Sequence, residues 1–169
     1  MSEKDFDVVQ MRTELHEMPE LGFHEEKTSK YVVNKLKELG LNPQTGIGGT
    51  GVVAYIDGTE PGPTVMVRAD MDALPFVIDN KPCSIHACGH DSHTAMLLAL
   101  AAKLVGNVKK GRVKLFFQPA EETLLGAVRS IEDGVLDDVD VAFGRFKIFL
   151  TEQFALLFAT LPVLSLKLN

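Results

Sequence analysis

Cysteine is scarce. Two cysteines in 169 residues cannot staple a fold of this size, which excludes a disulfide-rich secreted scaffold. Basic residues are outnumbered, 17 Lys+Arg against 23 Asp+Glu for a formal charge of −6, and they form no block. No nucleic-acid partner is expected, because phosphate binding needs clustered Lys and Arg. Long apolar runs are missing as well. The longest uncharged apolar stretch late in the chain covers 153–166 and is broken by Pro162, short of the roughly 18–20 residues a membrane span needs. The start, MSEKDFDVV, is charged and lacks the apolar core of a secretory leader. A soluble, cytoplasmic protein with no membrane partner is expected. What is present fits that picture: 46% hydrophobic and 24% charged residues are too apolar for disorder and sufficient for one domain with a real core.

Helical and extended patterns alternate along the chain. Residues 4–18 carry Phe6, Val9, Leu15 and Met18 at spacings of three and six residues, an amphipathic helix ended by Pro19. A second helix follows, with Tyr31, Val32, Lys35, Leu36 and Leu39 along one stripe and Gly40 at the C-terminal cap. Two β-type runs at 52–57 and 64–69 are joined by a turn-forming stretch rich in Gly and Pro. A loop then leads to Asp91 and Ser92, read as N-caps of an Ala/Leu-rich helix over 94–105. A strand over 112–118 closed by Pro119, a helix over 123–132 and a final buried strand over 139–143 complete an α/β layered domain. Gly46-Ile47-Gly48-Gly49-Thr50-Gly51 fits G-x-G-x-x-G on paper. A dinucleotide fingerprint needs a strand before and a helix after; here a helix precedes and a strand follows, so a flexible loop is expected instead.

Three segments carry chemistry. His86-Ala87-Cys88-Gly89-His90-Asp91-Ser92-His93 holds three of the five histidines and one of the two cysteines. Thiolate and imidazole are preferred ligands of borderline-soft divalent metals, and Gly89 gives the backbone freedom for Cys88 and His90 to converge. His86 and His93 are weaker candidates; a polar loop that caps the next helix is the competing account. Phe116-Phe117-Gln118-Pro119-Ala120-Glu121-Glu122 places two carboxylates after a buried strand, where α/β sheets hold ligands. One carboxylate can bind a metal while the other moves a proton; taken alone, the pair is more simply explained as a solvated helix N-terminus. Arg68-Ala69-Asp70-Met71-Asp72-Ala73-Leu74-Pro75 sets two aspartates after a central strand, able to bind a metal or to orient a ligand histidine, or merely to form a strand-end turn.

With these residues in view, the chain is similar to the M20 metallopeptidase family in its amidohydrolase branch, which includes hippurate hydrolases, N-acetyldiaminopimelate deacetylases and auxin-conjugate hydrolases. The resemblance is carried by Arg12-x-x-Leu15-His16-x-x-Pro19-Glu20-Leu21-Gly22-Phe23 and by the three chemistry-bearing segments, in the family's order over residues 1–144. It implies the three-layer αβα zinc-peptidase-like catalytic fold and a centre of two divalent metal ions, zinc or manganese. It implies Cys88, His90 and Glu122 as ligands, Glu121 as general base and Asp72 as the catalytic acidic residue that steers the metal site. His16 and Glu20 receive a structural role. Asp70 stands where other branches carry a histidine ligand, so its role is open. The implied reaction is hydrolysis of the amide of an N-acyl amino acid or short peptide.

After Gly144 the chain departs from the family pattern. Gly144-Arg145-Phe146 replaces a Gly-x-His setting, and no histidine follows His93. From Arg145 onward there is also no Gly and no Asp. The expectation is an incomplete catalytic domain over 1–144, without a lid domain, and an atypical apolar tail over 145–169, truncated or read in a shifted frame. Impaired hydrolysis is expected of such a chain, with a metal-binding fragment lacking turnover or an inert remnant as alternatives, and a homo-oligomer only in full-length relatives.

Overall fold

The computed structural model describes residues 6–144; the tail expected over 145–169 lies outside them. Four helices and seven strands are present among the described residues: α1 (Val8–His16), α2 (Glu26–Glu38), β1 (Gln44–Ile47), β2 (Gly51–Asp57), β3 (Glu60–Asp70), β4 (Leu74–Ile78), β5 (Lys81–Ile85), α3 (His90–Leu104), β6 (Lys110–Gln118), α4 (Gly126–Glu132) and β7 (Val141–Gly144). β1, β2, β6, β3 and β7 form one sheet in that order, and β4 and β5 a separate hairpin. β6 runs antiparallel to β2 and parallel to β3, which is parallel to β7. The two β-type runs of the sequence are therefore not neighbours: β6 slots between them.

Alternation along the central strands sorts side chains onto two faces. Val52, Ala54, Ile56, Ala69, Leu115 and Phe117 face α1, α2 and α3, meeting Met11, Leu15, Val32, Leu36 and Leu98 in the main core. Val53, Met66 and Phe116 face the other way, toward Val135, Leu136 and Val139 beside α4. The result is the expected αβα layering, with the second layer thinner among the described residues. There the amine of Lys114, inside the layer, is held by the Val135 carbonyl at 2.6 Å and the Asp138 carboxylate at 2.5 Å.

Several local expectations are corrected. α3 begins at His90, four residues early, because Gly89 at φ 81 makes the entry turn that Asp91 and Ser92 were expected to make. The stretch read as a loop after Pro75 is a hairpin whose turn residues Asp79 and Asn80 both have positive φ, 50 and 59, the backbone that two-residue hairpins require. The glycine segment is no flexible loop: it turns β1 into the antiparallel β2. α4 starts at Gly126 rather than at residue 123; a Cβ there would collide with the Pro119 carbonyl, so glycine is required by close approach. β7, expected to be buried, is exposed along its described length.

The parallel register of β3 and β6 has the largest consequence for chemistry. It sets Asp70 beside Gln118, so both strands deliver their C-terminal ends to one mouth. Leu36, fully buried in the main core, reports on the integrity of this scaffold. Leu36→Ala should cost about 2–5 kcal/mol, read as a fall in the urea midpoint at unchanged slope; a midpoint within error of wild type would contradict the packing described.

Candidate metal centre

Three segments meet at that mouth: the turn after β3, the N-terminus of α3 and the turn after β6. His90 is the hub. Its Nδ1 lies 3.0 Å from Asp72 Oδ1, and because a carboxylate only accepts, the neutral ring must carry its proton there. Nε2 is left bare, 3.7 Å from an oxygen of each of Asp70, Glu121 and Glu122. The second oxygen of Asp72 accepts the backbone amide of Glu122 at 2.9 Å. Asp72, buried at 1% exposure, thus couples a histidine on α3 to the carboxylate pair after β6.

Donor atoms of Cys88, His90 and Glu122 all lie within 4.8 Å of one another, as do those of Asp70, His90 and His93. The first group is the set expected from the sequence, brought together although 34 residues separate Cys88 from Glu122. In the second group, Asp70 is already engaged. Its Oδ1 lies 2.6 Å from His93 Nδ1 and its Oδ2 3.1 Å from an Arg68 guanidinium nitrogen. Arg68 is steadied by Gln118 Oε1 at 2.9 Å. His86 is buried but apart from both groups, and among the described residues neither ring nitrogen has a hydrogen-bond partner. Its ring lies 6.1 Å from that of His16. His16 and Arg12 of α1 hold the buried Asp91 carboxylate at 2.7 and 3.1 Å, pinning α1 to the start of α3. Glu20 accepts the amides of Lys27 and Thr28 at the start of α2. Of two further carboxylates at work here, Asp91 is read in the sequence only as a helix cap, and Glu25 receives no reading there.

Charge is crowded at the mouth. Burial raises the Glu121 carboxyl above the ordinary range, and Asp70 and Glu122 add to this against the pull of His90. The adjoining Glu122 carboxylate, then burial and the surrounding acids push the Cys88 thiol up to about 11. Burial opposes charge on His90, but the Asp72 bond and the neighbouring Asp70 and Glu121 outweigh it and raise its pKa. Burial would likewise raise Asp70, yet His93, His90 and Arg68 together hold it low.

These donors fit a divalent cation. Among the described residues nothing donates to the buried Oε1 of Glu122, a costly arrangement unless something electropositive faces it. Sulfur, imidazole nitrogen and carboxylate oxygen converge there, the donor types of zinc and related ions, and His90 has the carboxylate-backed ring typical of a metal-binding histidine.

Because His90 gains its proton more readily in the folded state, it stabilises the metal-free protein fully below its unfolded pKa of about 6.5, and that contribution fades as pH rises through the raised value. Asp72→Asn should lower the His90 pKa in an NMR titration of metal-free protein. Its stability deficit relative to wild type should be larger on the acid side of neutrality and shrink as pH rises. An unmoved His90 titration would contradict the role given to Asp72.

Comparison with known proteins leads to the same place. Residues 66–153 match the model for "Peptidase family M20/M25/M40". The chain is 47% identical over 150 residues to thermostable carboxypeptidase 1 of Saccharolobus solfataricus, covering 81% of this chain and 38% of that protein. It is 44% identical over 143 residues to hippurate hydrolase of Campylobacter jejuni, covering 79% and 37%. Among solved structures it resembles Bacillus subtilis YXEP, described as a dinuclear metal binding peptidase, with a TM-score of 0.78 and 39% identity over 86% of this chain and 44% of that one. The chain therefore spans under two-fifths of the length of these curated relatives. No helix among the described residues is long and apolar enough to cross a membrane. On sequence and structure together, the chain belongs to the M20 peptidase family.

Proposed function

We propose that the chain provides the Cys88–His90–Glu122 side of a divalent-metal centre in an amidohydrolase that cleaves N-acyl amino acids or short peptides. The observation that carries this reading is the convergence of those three donors on one point, with Glu121 beside them. Cys88, His90 and Glu122 would hold the metal; the thiolate favours zinc, while manganese suits the carboxylates. A divalent cation supplies Lewis acidity toward an acyl carbonyl and lowers the pKa of water.

The protein's own groups do the rest. Asp72 keeps the His90 proton on Nδ1, so that Nε2 presents its lone pair, and fixes the Glu122 backbone at the same time. Asp70 lies 3.7 Å from the bare Nε2 of His90, but it is already engaged by Arg68 and His93 and is not counted among the donors. Glu121 stays outside the donor group, and its raised carboxyl pKa suits a group that must both take and return a proton near neutral pH. It accepts a proton from the attacking water and returns it to the departing amine nitrogen. One water is consumed, the acyl carbon–nitrogen bond breaks, and a carboxylic acid and an amine leave. The hippurate hydrolase and carboxypeptidase relatives support an amide bond next to a free carboxylate as the substrate class.

Titration of the full chain with zinc and with manganese, followed by assay with hippurate, tests this reading. Binding of metal with measurable benzoate release is expected, and Glu121→Gln should lower turnover at least about a hundredfold without changing metal content. Cys88→Ser should weaken zinc more than manganese. Failure to bind either metal would remove the proposal, and hydrolysis that survives Glu121→Gln would remove Glu121 as the base.

A further inference from the structure

Glu25 immediately precedes α2 and is fully buried, yet its side chain does not cap that helix. Glu20 already serves the Lys27 and Thr28 amides, which leaves the Glu25 carboxylate free to reach across the molecule. Its Oε2 accepts the Thr50 hydroxyl at 2.5 Å, from the turn between β1 and β2. Its Oε1 accepts the backbone amide of Ala120 at 2.7 Å, 95 residues away. Both partners are neutral. A buried carboxylate without a cationic partner is costly, and packing alone would be served better by an apolar side chain, so the acid is explained by what it holds.

What it holds is the residue before Glu121. Ala120 is buried at φ 51, in the left-handed region that is unfavourable for a non-glycine residue and persists only where its surroundings impose it. A glycine at 120 could take that conformation freely; the alanine has to be held there. Its amide is bound by Glu25, and its carbonyl by the Gly126 amide and the Thr123 hydroxyl. Two residues on, the Glu122 amide is bound by Asp72. Glu121 is thus carried on a short segment anchored at both ends by buried carboxylates, one from before α2 and one from after β3.

We propose that Glu25 is a positioning residue that aims the Glu121–Glu122 segment at His90. It touches neither donor atoms nor the reacting groups and acts through the Ala120 peptide. The inference rests on the roles proposed for Glu121 and Glu122, but the tether can be measured without them.

Glu25→Ala, Glu25→Gln and, as a control that destabilises the main core without touching the Ala120 amide, Leu36→Ala are compared in the full chain. Amide hydrogen exchange is followed in the metal-free protein, and cobalt(II) is titrated through its thiolate charge-transfer band at Cys88. Glu25→Ala should speed exchange at the Ala120 amide at least about tenfold relative to the amides of α3, and should weaken cobalt binding about 10–100-fold. Glu25→Gln, which keeps the shape and one acceptor oxygen, should fall between Glu25→Ala and wild type in both. Leu36→Ala should change neither ratio. Wild-type Ala120 exchange in Glu25→Ala, or an equal effect from Leu36→Ala, would overturn the proposal. If wild-type protein binds no cobalt, the metal assignment fails while the exchange data still decide whether Glu25 holds the segment.

Discussion

One buried carboxylate, that of Asp72, ties together three segments at the mouth of the sheet. Its two oxygens are divided between His90 Nδ1 and the Glu122 amide, so the turn after β3, the first residue of α3 and the turn after β6 share a single bonded centre. A carboxylate buried this deeply is costly unless both oxygens are bonded, and here two segments distant in sequence supply the bonds. The sheet makes this possible, because the parallel pairing of β3 with β6 ends both strands at the same level, Asp70 beside Gln118. Ligand sites of open α/β sheets form at the carboxyl ends of parallel strands for this geometric reason.

Around that centre the protein gathers more negative charge than it neutralises. Asp70 is satisfied by His93 and Arg68, and Asp91 by Arg12 and His16. Glu121, Glu122 and the Cys88 thiol face the bare nitrogen of His90 with no comparable partner, and both the Glu121 carboxyl and the Cys88 thiol respond by holding their protons more tightly. A fold that gives up stability in this way at one location, while its core of Leu, Val, Met and Phe is closely packed, has the pattern expected of a functional site. The same logic explains Glu25. A buried carboxylate with only neutral hydrogen-bond partners and a left-handed Ala120 would each be unfavourable alone; together they hold one short segment in place.

The chemistry is more legible in the sequence than the shape around it. Cys88 and His90 can be paired because donor types of that kind two residues apart, with glycine between, have few other uses. Glu121 and Glu122 can be placed at a strand end because Arg112–Gln118 is β-branched and aromatic before a proline. Asp72 stays open between ligand, orienting group and turn residue until His90 is found against it. The hairpin after Pro75 escapes a reading by pattern because Asp79-Asn80 lacks the glycine that usually marks such turns. The start of α3 differs from the expected one because Asp91, a good cap by type, is instead buried against α1. Glu25 gives no signal, since its partners lie 25 and 95 residues away.

Residue type and local spacing by themselves therefore determined the α/β character, the helical and extended runs of the core and the identity of the metal-donor candidates, because those depend on periodicity and on donor chemistry that neighbours in the chain already express. Strand order, the side of His90 that is bare, the engagement of Asp70 by Arg68 and His93, and the tether from Glu25 to Ala120 were decided only by tertiary structure. Each depends on which distant groups share a buried space, and the cost of leaving a carboxylate or an amide unpaired there is set by the folded neighbourhood rather than by the sequence nearby.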